Sequence, residues 1–294
     1  MQSVPHRIVS HAPVSLSRKI LLVLLLASLA GCGGIDTRPA ATAEAPAFQE
    51  QVPEIMPGVL QGYLSKADQL DSRNFVPPAP SQHSARQAFD TAWSEKMLPL
   101  RGSARWDLAI RDADLSFPAT ASTFSCALGI PVTKEDTPAL YMLLRRTLAD
   151  LGLATYSAKK VYQRERPFMT NGKPVCTPEE ETTLRKDGSY PSGHTAVGWG
   201  WALILSELAP DRAEAILARG RAFGESRNVC NVHWYSDVVA GRTVGSAAVA
   251  RLHANEAFLA AREAARADID RARRDGLTPQ HDCAPEAAAL ATVF

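Results

Sequence analysis

Beyond Ser81 the apolar residues of this chain recur at helical spacing, and no alternating run is long enough to make a central strand. From Pro138 to Leu151 the series Leu140, Leu143, Leu144, Leu148 and Leu151 marks one helix face, with Pro138 suited to the first turn and Gly152 to the end. Thr195 to Leu208 is apolar and stops before Pro210. It is shorter than the ~20 apolar residues a bilayer span needs, and His194 and Glu207 bound it, so it reads as a buried bundle helix. Asp211 to about Gly224, Trp234 to His253 and the charged, amphipathic Glu256 to Arg274 also read as helices. Thr177-Pro178-Glu179-Glu180 reads as a capping box with proline at the first helical position. There is no internal repeat. The expected fold is all-α, a single helical-bundle domain over 81–294.

Upstream of it, Gly33 to about Gly58 is rich in Ala, Pro, Thr and Glu without a usable apolar period and reads as a tether. Pro53 to Pro80, which includes Val76-Pro77-Pro78-Ala79-Pro80, is expected to be extended and laid over the domain surface. Residues 1–31 read as a secretory signal: Arg7, Arg18 and Lys19 precede an apolar run from Ile20 to Ala30 that is too short to span. The run ends in Leu29-Ala30-Gly31-Cys32, similar to a bacterial lipobox, which makes Cys32 the lipidation site and residues 32–80 a lipidated, tethering N-terminus. Gly33 in place of Asp implies, by the same resemblance, sorting to the outer membrane, with the domain in the periplasm. Removal of residues 1–31 takes away three cations and no acids, moving the formal charge from +1 to −2. With 32 basic and 31 acidic residues and no extended basic run, nothing suggests a nucleic-acid partner.

Five cysteines less a lipidated Cys32 leave Cys126, Cys176, Cys230 and Cys283, an even number in a compartment where disulfides persist. Two disulfides are expected, and the three connectivities stay open. The wide spacing, without a CxxC pair, argues against zinc, and no metal or cofactor is expected.

The residues that carry chemistry fall in three clusters: Lys159 with Arg166-Pro167, then Pro191-Ser192-Gly193-His194, then Ser226-Arg227 with His233 and Asp237. Three cations, two imidazoles and a carboxylate suit phosphoryl transfer through a histidine, because Lys159, Arg166 and Arg227 can carry phosphate charge. In order and internal spacing these clusters resemble the three-part signature of the type 2 phosphatidic acid phosphatase superfamily, which also holds the vanadium haloperoxidases. Gly188-Ser189-Tyr190 before Pro191 and the run from Gly224 to Asp237 resemble, within it, the bacterial class A non-specific acid phosphatases.

The expected activity is hydrolysis of phosphate monoesters. With Asp237 four residues on along a helix, the carboxylate fixes the tautomer of His233, the expected nucleophile. Asp237 raises the His233 pKa and the cations lower it, and sequence does not decide between them. His194 opens an apolar helix and is the expected general acid and base. Ser192 caps that helix and Gly193 admits a phosphate oxygen, so both join Lys159, Arg166 and Arg227 in binding phosphate. Arg164, Trp199, Trp201, Trp234, His83 and His253 are read as surface or packing residues. Two rival activities stand beside this one. A vanadium-dependent haloperoxidase would use the same oxyanion cradle, and a lipid or lipid-pyrophosphate phosphatase would exploit the membrane tether. Phosphotransfer to other acceptors is an expected side activity, and the resemblance implies a homo-oligomer.

Overall fold

The structure, a computed structural model, describes residues 52–292, so the expected signal, the Cys32 lipidation site and most of the tether lie outside the described residues. A short antiparallel pair, β1 (Glu54–Met56) and β2 (Val59–Leu60), turns at Pro57-Gly58, where the positive φ of 78° calls for glycine. Helices follow: α1 (Ala85–Met97), α2 (Ala104–Ala113), α3 (Ser125–Leu128), α4 (Pro138–Leu153), α5 (Tyr156–Tyr162), α6 (Pro167–Asn171) and α7 (Glu181–Leu184). The second half holds α8 (Gly193–Leu208), α9 (Ala213–Val229), α10 (Tyr235–Leu252), α11 (Glu256–Arg274) and α12 (Ala284–Leu290). The all-α expectation holds apart from the small hairpin.

The apolar helix α8 is the centre of the bundle. It packs on α9, α10 and α4, with Trp201, Ile204 and Leu205 fully buried. Among the described residues no helix is long and apolar enough to cross a membrane. Two glycines of α10 set its approach to α8: a Cβ at Gly241 would lie 2.6 Å from the Ser192 carbonyl oxygen, and one at Gly245 2.6 Å from that of Ala196. This close crossing draws the start of α10 against the start of α8.

Several boundaries differ from those the sequence suggests. Helix α9 runs past Gly224 to Val229, and α4 passes through Gly152. Gly224 is needed for approach and does not stop the helix, since a Cβ there would meet Thr195 Cγ2 at 2.7 Å. The expected capping box does not form: Thr177 Oγ1 donates to Glu180 Oε2 (2.6 Å), and Pro178–Glu180 is a 3-10 turn leading into α7. Trp201 and Trp234 are buried as expected, whereas Trp199 is half-buried and donates to Ser246 Oγ.

The largest difference is upstream of Ser81, where residues expected to lie over the surface enter the core. Tyr63, Leu64 and Val76 are buried among the helices. The Tyr63 and Leu64 N–H groups donate to the Asp150 carboxylate of α4 at 2.8 and 2.9 Å, and the Tyr63 ring meets Phe258 edge-on at 5.7 Å. Residues 52–80 thus belong to the same compact unit as the bundle, and the hairpin replaces the last part of the expected tether. Two disulfides close the structure, Cys126–Cys283 and Cys176–Cys230.

Candidate active site

Backbone hydrogen bonds stitch the three signature clusters together. Ser189 N–H donates to Arg164 O (2.8 Å), Ser192 N–H to Asp237 O (3.0 Å) and Phe168 N–H to Asn231 O (3.2 Å). Asn231 holds a left-handed φ of 60° in the turn between α9 and α10, and the neighbouring Cys176–Cys230 disulfide ties that turn to the loop after α6. Arg227 lies in the last turn of α9, just before that turn.

A cavity of about 450 Å³ opens at this junction, and Lys159, Arg166, Gly193, His194, Arg227 and His233 all reach its wall. Asp237 and Ser192 are fully buried and are not among the wall residues. Ser192 is the N-cap of α8: its hydroxyl oxygen accepts from Thr195 N–H at 3.3 Å and from Thr195 Oγ1 at 2.9 Å. Gly193 follows in the first turn, and a Cβ there would find only Thr155 Oγ1 at 3.7 Å, so this stretch of backbone faces open space.

His233 precedes α10 rather than lying on it. The contact with Asp237 arises because Asp237 sits in the first turn and folds back over the helix start, accepting Trp234 N–H at 2.8 Å on Oδ2. The same oxygen lies 3.3 Å from His233 Nδ1. On the other side of the ring Arg166 Nη1, which can only donate, lies 3.1 Å from Nε2. Both contacts demand the same tautomer, with Nδ1 carrying the hydrogen and Nε2 the lone pair. The competition left open by the sequence is resolved in favour of the neutral ring: burial first, then Arg166, Lys159 and Arg227, push the His233 pKa well below its ordinary value.

The three cations differ in their partners. Arg166 is heavily engaged, donating from Nε to Leu184 O and Asp187 O, from Nη1 to Val232 O and from Nη2 to Asp187 Oδ2. Lys159 donates to Gly188 O (2.7 Å) and Asp187 Oδ2 (3.1 Å); burial, then Arg166, lower its pKa to about 8. Arg227 is 1% exposed, yet its Nε and Nη1 have no hydrogen-bond partner among the described residues, and burial brings its pKa down to about 10. A buried guanidinium with two unsatisfied nitrogens costs free energy unless an anion completes it.

His194 Nε2 lies 2.9 Å from the carbonyl oxygen of Ala113, the last residue of α2, so Nε2 carries a hydrogen and Nδ1 is the position left for proton exchange. Burial and then Arg227 hold its pKa well below the ordinary range.

Two site residues had no signal in the sequence reading. Arg164, taken there as a solvated neighbour of Arg166, is buried and donates to Asp237 Oδ1 and Asp90 Oδ2, both at 2.6 Å. The imidazole–carboxylate pair therefore continues as His233, Asp237, Arg164, Asp90, and Asp90 is closed by Ser236 N–H and Oγ. Burial pushes the Asp237 carboxyl up, and Arg164 opposes that rise. Asp187 is the second, bridging Lys159 and Arg166 through one oxygen. Spacing hints at neither, because their partners lie far away in sequence or on loops. His83 is exposed and His253 pairs with Glu207 at the surface, as expected.

Residues 138–257 match the PAP2 superfamily, a span holding all three clusters. A "Non-specific acid phosphatase" of Providencia stuartii is 45% identical over 197 residues, which cover 67% of this chain and 79% of the relative. Another of that name from Salmonella typhimurium is 43% identical over 68% of this chain and 80% of its own length, and an "Acid phosphatase" of Zymomonas mobilis is 41% identical over 70% and 78%. With this much of each relative matched, the chain belongs to the PAP2 superfamily and, within it, to the bacterial non-specific acid phosphatases.

Proposed function

We propose that the protein is an acid phosphatase that hydrolyses phosphate monoesters through a phosphohistidine on His233, without a metal ion. The observation that carries this reading is Arg227, a buried guanidinium with two unpartnered nitrogens on the wall of a cavity that also holds a neutral, tautomer-fixed imidazole. Phosphate oxygens take up the free Arg227 nitrogens and displace Asp187 from Lys159 and Arg166. Backbone N–H groups at the start of α8, which have no partners within the helix, add to the cradle. His233 Nε2 then attacks phosphorus as Arg166 Nη1 moves from Nε2 to an equatorial oxygen. A nitrogen–phosphorus bond forms, the ester phosphorus–oxygen bond breaks, and His194 Nδ1 gives its proton to the departing oxygen. In the second step water attacks phosphorus, His194 takes its proton, and phosphate leaves with the bonding pair returned to Nε2. The three cations carry the charge of the transferring group in both steps. Because the polar contacts all go to phosphate, the site accepts a range of phosphate monoesters, graded by how the esterified group fits the cavity, and alcohols can replace water as acceptor.

The test is p-nitrophenyl phosphate turnover from acidic to neutral pH, with and without EDTA, for the wild type and His233→Ala. Activity that survives EDTA and vanishes in the variant, with a trapped N-phosphate on His233 after acid-free quenching, supports the mechanism. Loss of activity on chelation, or full activity in His233→Ala, refutes it. We also propose attachment to the outer membrane, facing the periplasm, through lipidated Cys32. Cys32→Ala should move the protein into the soluble periplasmic fraction, and an unchanged distribution counts against the anchor.

A further inference from the structure

The walls of the active-site cavity above the phosphate cradle are apolar. Met56 and Val59 of the hairpin form one side, Leu115 and Phe117 of the segment after α2 another, and Leu153 and Val197 of α4 and α8 the rest. Apart from the cations and histidines of the cradle, the polar side chains on that wall are Ser116, Tyr156 and Asp187. The hairpin is not a loose strap: β2 packs on α4, and the following residues are pinned by Asp150 and by Arg146, which donates to Gln61 O and Gly62 O. It leaves Met56 51% exposed at the cavity wall, where its flexible apolar side chain can pack against a bound leaving group.

Resting on the phosphatase reading above, we infer that the hairpin and its facing walls form a leaving-group site that selects phosphate monoesters of apolar alcohols and phenols over those of polyols, sugars and nucleosides. The phosphoryl group is held at the floor, so the group esterified to it points along these walls. Hydroxyls of a glycerol or sugar would lose water there and find only the Ser116 and Tyr156 hydroxyls and the Asp187 carboxylate low on the wall in exchange, whereas an alkyl or aryl body loses only its contact with water. For alkyl esters the preference opposes intrinsic reactivity, because a polyol oxygen is a better leaving group than a simple alkoxide. A discrimination in favour of the alkyl ester therefore reports the site and not the chemistry.

The experiment uses the full chain in detergent and measures kcat/KM for phosphate release from ethyl, butyl and hexyl phosphate and from glycerol 3-phosphate. The expected rise is about two- to fourfold per methylene, the factor for partial to full burial of one CH₂, with hexyl phosphate preferred to glycerol 3-phosphate. Met56→Ser and Val59→Ser, each checked by thermal melting, should lower the hexyl-to-ethyl ratio by about tenfold together, as expected for two lost apolar contacts. A flat chain-length series in the wild type overturns the inference alone, as does a ratio unmoved in folded variants. Should the variants fail to fold, the wild-type series decides by itself. Phosphate release from none of the esters overturns the phosphatase reading and this inference with it.

Discussion

Arg164→Met should do more damage than the replacement of any surface arginine, although Arg164 never reaches the cavity wall. The guanidinium bridges two buried carboxylates, Asp237 and Asp90, at 2.6 Å each, and also holds Gln87 Oε1 and Ser236 Oγ. Taking the cation away leaves Asp90 buried without its ion-pair partner and Asp237 with only the more remote charges of Lys159 and Arg166, which should cost about 3–5 kcal/mol of stability. The effect on catalysis follows from Asp237. Burial already raises its carboxyl pKa and Arg164 is the largest influence holding it down, so the variant's Asp237 takes up a proton at higher pH. Once neutral, it no longer fixes the hydrogen on His233 Nδ1, and the tautomer with Nε2 free to attack loses its advantage. Removing the orienting carboxylate's charge in a serine-protease triad costs about 10⁴ in kcat. Here the carboxyl remains and is only protonated at the acid end, so a loss of about 10²–10³ is expected. The assay is a kcat profile over pH 4–8 beside urea denaturation, with Arg164→Lys as a second variant that keeps a charge. A positioning role predicts that the acid limb of the profile moves to higher pH. A variant that melts earlier but retains kcat within threefold and an unmoved acid limb would refute the argument.

Inorganic phosphate should stabilise the protein, by about 2.7 kcal/mol at a hundred times its Kd, and Arg227→Ala should weaken that Kd at least tenfold; melting curves across a phosphate titration measure both. Burial lifts the Asp150 pKa from 3.8 to about 6, so the folded state binds the extra proton between these values and gains about 3 kcal/mol as pH falls through the window. His194 and His233, with depressed values, contribute stability above pH ~6.5 that is lost on acidification, and Asp150→Asn should expose that opposite slope in urea melts from pH 4 to 7. By chain entropy the Cys176–Cys230 bond, closing a separation of 54 residues, contributes about 4 kcal/mol, and Cys126–Cys283, closing 157, about 5. Loss of the first should also reduce turnover because it frees the turn next to Arg227 and His233, whereas Cys126→Ser/Cys283→Ser should lower the urea midpoint and leave kcat unchanged.

The bundle was legible because its helices carry their own signals. The bounds of α11 coincide with the Glu256 to Arg274 reading, since a charged amphipathic helix with Asn255 as its cap needs no tertiary context. Gly152 and Gly224 misled because a glycine needed for close helix packing looks the same in sequence as a glycine that ends a helix. Tyr63 and Leu64 were invisible for a different reason. Two anchoring residues in a proline-rich stretch have no period, and what fixes them is Asp150, 86 or more residues away. The six residues on the cavity floor were readable through their spacing, but their supports were not. Arg164 and Asp187 act through partners that only the fold brings near, and the His233 to Asp237 contact comes from a helix start and not from a helix face.

The depressed basicity of both histidines looks at first like an obstacle, since one must attack as a neutral ring while the other must donate a proton. The surroundings separate them. His233 has both nitrogens committed, Nδ1 to Asp237 and Nε2 to Arg166, so a second proton has no place on it. His194 has Nε2 committed to Ala113 O and Nδ1 left over, and after burial the largest influence holding its pKa down is Arg227. Of the three cavity cations that guanidinium is also the one with unpartnered buried nitrogens. On the proposed mechanism, a phosphate group on Arg227 would offset the charge that, after burial, does most to suppress His194, so that the general acid gains its proton with substrate in place while His233 stays neutral. Asp187 hydrogen-bonds both Lys159 and Arg166 through one oxygen, whereas among the described residues Glu180 and Asp112 act on Arg227 without a hydrogen bond to its Nε or Nη1. On the proposed mechanism the proton on His194 then belongs to the substrate complex and not to the free enzyme, because the cation that binds phosphate is the charge that weighs most on the acid.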